Sequence, residues 1–439
     1  MLMSRFNALR QQHPIFHYHS YAIEQQDEQI LLRFVFSVDG LGEFCPTTTI
    51  DTRNLVLRNA LDSPLAQDLV FSLGLVELVS YWKCACPPEI VIHCGHLNCD
   101  EIDWWKRLWY HGLGEFFYRN EITVNFADFV HVRCESPMLP RAASEFCSGN
   151  LGLVPIGGGK DSCVTLHLLS EMKRDLLGFT VNDQPARTET FAAAGYSPEQ
   201  MLRTHREIDP MLLQVNAQGY LNGHTPFSAI VAFLGLFCAY LIGADELILS
   251  NEASANEPSV PGTDVNHQYS KSYAFECDMN AYVQRRFALP IHYFSLLRPF
   301  NELQIAKQFA TLTHYHDVFK SCNVGSKKNV WCSRCAKCLF VYLMLAPFLT
   351  EVQMVEIFGE NLLKSQELSG ELQALFGETA EKPFECVGTI AEAKAADAML
   401  RGKPEAAQEL LREWNAEHNI PPKFLLIAER MLEYVSTVA

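Results

Sequence analysis

Positive charge is scarce in this sequence: 35 Lys and Arg stand against 51 Asp and Glu in 439 residues, a net charge of −16. Nucleic-acid binding rests on neutralising phosphates with Lys and Arg, so so acidic a chain is a poor match for DNA or RNA, and no nucleic-acid partner is expected. The opening MLMSRFNALRQQHP lacks the apolar segment of a secretory leader, which points to a cytoplasmic protein. Long hydrophobic runs are lacking too. The most apolar stretch, 228–244, is near membrane-span length but contains Ser, Gly and Cys and lies between other strand and helix signals, so it reads as a buried core helix and no membrane partner is expected. There is no internal repeat and no low-complexity linker. Cysteine, by contrast, is plentiful. Fifteen cysteines without an export signal argue for reduced thiols or metal sites rather than disulfides. The length suits two or three domains, and 48% apolar with 20% charged residues is ordinary globular composition.

The chain is organised around Gly157–Ser162, read GGGKDS. The apolar run Leu151–Ile156 before it reads as a buried strand, and Val164, Leu168 and Met172 after it share one helical face. A glycine loop between strand and helix lets the backbone approach a ligand, and the helix start offers free N–H groups and the positive end of the dipole to an anion. Lys160 adds a cation, Asp161 a carboxylate able to hold Mg²⁺ between phosphates, and Ser162 a hydroxyl donor. Two common phosphate loops are excluded. Asp161 breaks the G-x-x-x-x-G-K-[ST] pattern, and the third glycine of G-x-G-x-x-G falls on Ser162. The alternative of a ligand-free glycine turn leaves the Lys-Asp-Ser tail without a reason.

Residues 1–145 read as an α+β N-terminal domain, with strands at Gln29–Val38 and Glu89–His93, helices at Leu69–Trp82 and Trp104–Leu113, and strand-like character over Tyr118–Val132. Cys84, Cys86, Cys94, His96 and Cys99 crowd together there without a recognised ligand spacing, and read as core or surface thiols. Residues 150–350 alternate strand and helix: Leu176–Val181, Phe227–Ile242 closed by Gly243, Asp245–Ser250, Leu289–Leu297, and a helix capped by Asn301 with Gln304. Arg203–Asp209 reads as polar surface. The alternation implies a doubly wound parallel sheet, α/β in class, with ligands beyond the carboxyl ends of the strands. Gly157–Ser162, Asn182 and Asn251–Glu252 should therefore converge on one crevice. Residues 351–439 read as a helical packing or oligomerisation appendage, with a loop over Gly377–Glu385.

Two more constellations carry chemistry. Cys322, Cys332, Cys335 and Cys338 give C-x9-C-x2-C-x2-C, a thiolate set suited to a structural zinc site; otherwise Cys335 and Cys338 merely open an apolar helix. The polar segment 251–276 follows a strand at the site end and holds Glu252, Asn256, Glu257, His267, Tyr269, Lys271 and Tyr273, fit for substrate recognition and a general base, or else for a solvated lid.

GGGKDS resembles the PP-loop of the N-type ATP pyrophosphatases, SGGxDS, with Gly157 standing where that superfamily has Ser. The succession GGGKDS, GADELILSNEASANEPS, VNHQYSKSYAFE and CSRCAKCLFVYLMLAPF resembles one branch of it, the MurL family of ATP-dependent UDP-N-acetylmuramoyl-L-alanyl-L-glutamate epimerases. The resemblance implies a PP-loop ATP pyrophosphatase domain and a peptidoglycan-precursor enzyme that inverts the terminal L-Glu of the nucleotide-sugar dipeptide, with ATP and Mg²⁺ giving AMP and pyrophosphate. It implies that Gly157, Gly158, Gly159, Lys160, Ser162, Asn182 and Asn251 bind nucleotide and that Asp161 holds Mg²⁺. Tyr269 and Tyr273 fall to substrate recognition, Arg298 or Lys271 to the substrate's side-chain carboxylate. Glu252, His267, Tyr269 and Lys271 stay open as the base. A carboxylate-adenylating enzyme similar to 7-cyano-7-deazaguanine synthase, whose late C-x-x-C-x-x-C zinc site is alike, and a nonenzymatic ATP-binding regulator are the competing readings. The sequence leaves the oligomeric state open.

Overall fold

A computed structural model describes residues 5–137 and 146–437. The chain folds into two compact units that are not contiguous in sequence. The first comprises residues 1–149, 202–245 and 281–291; the second comprises 150–201, 246–280 and 292–439. The boundary drawn from sequence at residue 145 lies outside the described residues. The fold is mixed α/β.

In the first unit, the strands run in the order Met201–Glu207, Thr47–Asp51, Gln29–Val38, Ile15–Gln26, Glu89–Ile92, His131–Cys134, with the short Gly42–Phe44 beside Gln29–Val38. The first four pair antiparallel in turn, and the last two are added by parallel pairing. Gln29–Val38 alternates in burial, with Ile30, Leu32, Phe34, Phe36 and Val38 inward. Helix Pro64–Glu77, capped by the Ser63 hydroxyl, packs on helix Phe227–Ile242, whose side chains are almost all buried. Gly243 at φ +72 closes the latter in the left-handed cap that glycine favours. Among the described residues no helix is long and apolar enough to cross a membrane.

Two stretches differ from the sequence expectation here. Residues 118–132 are not a strand: a helix, Gly114–Arg119, is followed by irregular chain and only His131–Cys134 pairs. Their aromatics pack without a ladder, Tyr110 against Phe117, Phe126 and Phe129. Conversely, the polar 203–209 lies largely in strand Met201–Glu207, because Leu202, Thr204 and Arg206 face inward and the Arg206 guanidinium is neutralised by Glu77 at 2.6 Å. A buried ion pair hides a strand from hydropathy.

In the second unit the strand order is His292–Ser295, Ala244–Leu249, Leu151–Pro155, Leu176–Val181. Ala244–Leu249 runs parallel to His292–Ser295, and Leu151–Pro155 parallel to Leu176–Val181. Helices Lys160–Glu171, Glu302–Ala310 and Ala336–Leu345 join helices from the last ninety residues in one core, in which the Phe294 and Phe424 rings meet at a tilt with centroids 5.1 Å apart. The region after 350 is therefore no appendage: Ile390–Leu400 and Pro422–Val435 pack in this unit. The segment 251–276 is ordered by short helical turns at Ala253–Asn256 and Tyr269–Lys271, and helix Tyr273–Phe287 begins inside it.

Candidate active site

Strand Leu151–Pro155 delivers the glycine loop and helix Lys160–Glu171 begins at once, with Gly159 as its N-cap. First-turn N–H groups of a helix have no partner within it, so the loop presents donors beside a positive dipole end. Gly158 sits at φ +79, and a Cβ there would lie 3.2 Å from the Ala186 Cβ. A Cβ on Gly159 would meet Ser321 at 3.0 Å. Gly157 is different: a Cβ would find only the Ser162 hydroxyl, at an ordinary 3.4 Å. The Gly157 N–H donates to Ser162 Oγ at 3.0 Å, which fixes the turn.

Next to the loop stand three carboxylates. Asp161 lies in the first helical turn, Glu252 follows strand Ala244–Leu249, and Glu302 opens helix Glu302–Ala310 behind its Asn301 cap. One oxygen of each lies within 4.8 Å of the others. The buried Lys160 ammonium donates to both Asp161 and Glu302. Burial opposes charge on Lys160, but these carboxylates outweigh it and hold its pKa above the ordinary lysine value. Burial alone would push Asp161 up; Lys160 and Lys337 outweigh it and hold it low. Glu252 and Glu302 go the other way. Burial, joined by the neighbouring carboxylates, raises both, Glu302 to about 7 despite Lys160. Three oxygen donors that still repel one another around a lysine are a fit for a hard divalent cation such as Mg²⁺.

Glu302 is not legible in sequence, because an acid after a cap reads as ordinary helix-start charge. Glu392 is hidden likewise. It completes a capping box with Thr389, yet its Oε1 also accepts from the Glu302 N–H at 2.8 Å and from the Ser254 hydroxyl.

Lys271 donates to Cys386 Sγ at 3.0 Å. His267 also hydrogen-bonds this thiol, and the Lys337 ammonium donates to the Cys386 carbonyl. Burial would raise the Cys386 pKa, but Lys271, His267 and Lys337 outweigh it and hold it well below the ordinary thiol value. Asp161 and Glu252, which act on Lys160, also act on Lys271, so the two clusters are electrostatically joined. Cys386 lies in the irregular stretch between helices Ser369–Leu375 and Ile390–Leu400, and no spacing marks it in sequence.

The remaining candidates take varied places. Arg298 is wholly buried. Its guanidinium donates to the carbonyls of Glu252 at 2.7 Å and Lys271 at 2.6 Å and to Glu276 at 3.0 Å. It thus holds the two site residues' backbone, while its buried Nε has no hydrogen-bond partner among the described residues. Removing it would take the ion-pair partner from the buried Glu276, a cost of about 3–5 kcal/mol. The Asn251 amide donates to Ser295 Oγ at 3.1 Å. Asn182, at φ +57, is exposed at the end of strand Leu176–Val181. Tyr269 and Tyr273 are half-buried; a bond to Cys277 is the main reason the Tyr273 phenol is raised to about 12. His267 donates its backbone N–H to Ser259 Oγ at 3.2 Å.

The four cysteines Cys322, Cys332, Cys335 and Cys338 converge, with Sγ–Sγ separations of 4.0 Å for 322–335, 3.7 Å for 332–338 and 3.5 Å for 335–338. Four sulfurs at the usual zinc distance of about 2.3 Å stand about 3.8 Å apart at tetrahedron corners. The N–H groups of Gly325 and Cys332 point at Cys322 Sγ, as N–H donors do toward a thiolate ligand. A hydrogen bond from Cys338 is the main cause that lowers the Cys335 thiol to about 5.

Known proteins resemble this chain along most of its length. Residues 7–296 match the MurL N-terminal domain and residues 318–423 the MurL C-terminal domain. A UDP-N-acetyl-alpha-D-muramoyl-L-alanyl-L-glutamate epimerase of Xanthomonas oryzae pv. oryzae is 37% identical over 383 residues, covering 84% of this chain and 82% of the relative. The proteins of the same name from Micromonospora sp. and Salinispora tropica are 33% and 35% identical, covering 88% and 77% of this chain and 86% and 76% of their own lengths. On both the domain matches and these relatives, the chain belongs to the MurL family.

Proposed function

We propose that this chain is the epimerase that its relatives are named for, inverting the terminal L-Glu of UDP-N-acetylmuramoyl-L-alanyl-L-glutamate to D-Glu in the cytoplasm, and that ATP drives the inversion. The observation that supports the ATP step is the glycine loop set against Lys160, Asp161, Glu252 and Glu302 at one helix start. This loop, helix start and carboxylate set support reading the second unit as a PP-loop ATP pyrophosphatase domain.

The chemistry explains why ATP is needed. The α-proton of a free glutamate is hard to remove, because the carbanion would sit beside the negative α-carboxylate. Adenylation converts that carboxylate to a mixed anhydride and makes the proton far more acidic. A base then removes it and a proton returns on the other face. Hydrolysis of the anhydride releases AMP and makes the inversion irreversible. The Gly158 and Gly159 backbone and Ser162 hold the phosphates, and Lys160 stabilises charge on the departing pyrophosphate. Asp161, Glu252 and Glu302 would hold Mg²⁺, which when bound neutralises phosphate charge. Glu392 and Arg298 keep this wall in place through the Glu302 N–H and the Glu252 and Lys271 carbonyls. Cys322, Cys332, Cys335 and Cys338 would hold a structural zinc that ties down the segment 320–338.

The test is pyrophosphate release from Mg-ATP with and without UDP-N-acetylmuramoyl-L-alanyl-L-glutamate, followed by chiral analysis of the hydrolysed glutamate. Pyrophosphate that depends on this substrate and matches D-Glu formed is expected. Pyrophosphate without D-Glu would move the chain toward another carboxylate activation, and its absence would remove the ATP step.

A further inference from the structure

The epimerisation reading leaves the base unassigned, and the candidates visible in sequence are poorly placed for it. Glu252 is 5% exposed and shares its oxygens with the carboxylate cluster. Lys271 has its ammonium engaged by Cys386 at 3.0 Å and carries charge where a base must be neutral. His267 hydrogen-bonds the same thiol. Tyr phenols at ordinary pH are protonated. What Lys271 and His267 share is Cys386. It is only partly buried, open enough to be reached, and it receives the ammonium of Lys271 and a bond from His267 while Lys337 clamps its carbonyl. A free cysteine in a fold is usually a small neutral hydrophobe, as Cys84, Cys163 and Cys238 are here, all pushed up by burial. Two cations and an imidazole around one thiol instead serve a thiolate.

A second observation points to a ligand at this turn. Gln268 is 5% exposed, its amide nitrogen donates to the carbonyl of Val387 at 3.2 Å, and its Oε1 has no partner among the described residues. A buried acceptor left unpaired costs about 1–3 kcal/mol, so a donor from a ligand belongs there. In a dipeptide substrate the glutamate nitrogen is an amide N–H, on the same carbon that loses its proton.

We infer that Cys386 is the catalytic base of the inversion, taking the glutamate α-proton onto Sγ, with Lys271 and His267 as positioning residues and Gln268 Oε1 receiving the glutamate amide N–H. The inference rests on the epimerase reading. In the step the Cα–H bond breaks, an S–H bond forms, and the electron pair passes into the enolate of the activated carboxyl group. A proton from water, delivered to the opposite face, re-forms Cα–H, and the thiol returns its proton to solvent.

The experiment compares wild type with Cys386→Ser in deuterium oxide, with Mg-ATP and UDP-N-acetylmuramoyl-L-alanyl-L-glutamate, and measures D-Glu formed and deuterium at Cα per pyrophosphate released. Wild type should give one D-Glu with solvent deuterium for each pyrophosphate. In Cys386→Ser the ratio of D-Glu and of Cα deuterium to pyrophosphate should fall at least about a hundredfold, with L-Glu returned undeuterated. An unchanged ratio, or equal loss of pyrophosphate and D-Glu in a folded variant, overturns the assignment. If wild type itself releases no substrate-dependent pyrophosphate, the ATP-driven epimerase reading fails instead. Should Cys386→Ser not fold, iodoacetamide labelling of the wild-type protein, mapped to each cysteine by mass spectrometry, carries the same test. Loss of Cα exchange must track alkylation of Cys386, and exchange that survives its complete alkylation rejects the base.

Discussion

Single residues at the loop carry unequal weight. At Gly158 a side chain meets both a left-handed backbone, costing about 1–2 kcal/mol, and the Ala186 Cβ at 3.2 Å. Gly158→Ala should therefore lower pyrophosphate release at least tenfold, read by initial rates at saturating Mg-ATP. Gly157→Ser has room and should stay within about threefold of wild type. Equal losses at the two positions would contradict the steric account. Lys83 shows a buried charge at work. Its ammonium donates to Thr225 Oγ1 at 2.6 Å and to the Gly223 carbonyl, and burial, aided by Arg206, lowers its pKa to about 8. A depressed amine pKa favours the folded state above the unfolded value near 10.5, and that contribution is lost as pH falls through 8. Wild type minus Lys83→Met should thus gain about 3 kcal/mol of unfolding free energy between pH 8 and 10.5, measured by urea titration. A flat difference would contradict the shift.

Elements differ in how well their residues announce them. Phe227–Ile242 is found at both ends by its apolar run and closing glycine, and Glu302–Ala310 by the Asn301–Gln304 box. Leu151–Pro155 and the loop after it are visible because strand, glycines and helix face succeed one another without interruption. Met201–Glu207 was hidden by Arg206, whose partner Glu77 lies far off in sequence, and 118–132 misled because aromatics suit loops as well as strands. The cysteine segment was legible as a spacing, and its folded form brings all four sulfurs together. Cys335→Ser should lower bound zinc from one per chain toward zero and lower the melting temperature by several degrees, measured by elemental analysis and calorimetry. Unchanged zinc with an unchanged transition would reject a four-cysteine metal site.

At the scale of the whole chain, what escapes sequence is what long-range folding brings together. The first unit gathers three separate segments and the second another three. Asp161 and Glu252 could be placed near one another from strand ends alone, since each follows one of two neighbouring strands of the sheet. Glu302, Cys386 and Glu392 could not: they reach the site from a cap, an irregular stretch and a helix box that look ordinary in isolation. The last ninety residues, taken from composition for packing, supply a thiol and a carboxylate to the site instead.

The central claim is that ATP activates the glutamate α-carboxylate by forming a carboxyl–phosphate bond. The most direct measurement labels that carboxylate with heavy oxygen and follows the label into AMP by mass spectrometry. The account predicts one labelled oxygen in the AMP phosphate for each D-Glu formed in a single turnover. AMP free of label, with D-Glu still formed, would contradict it.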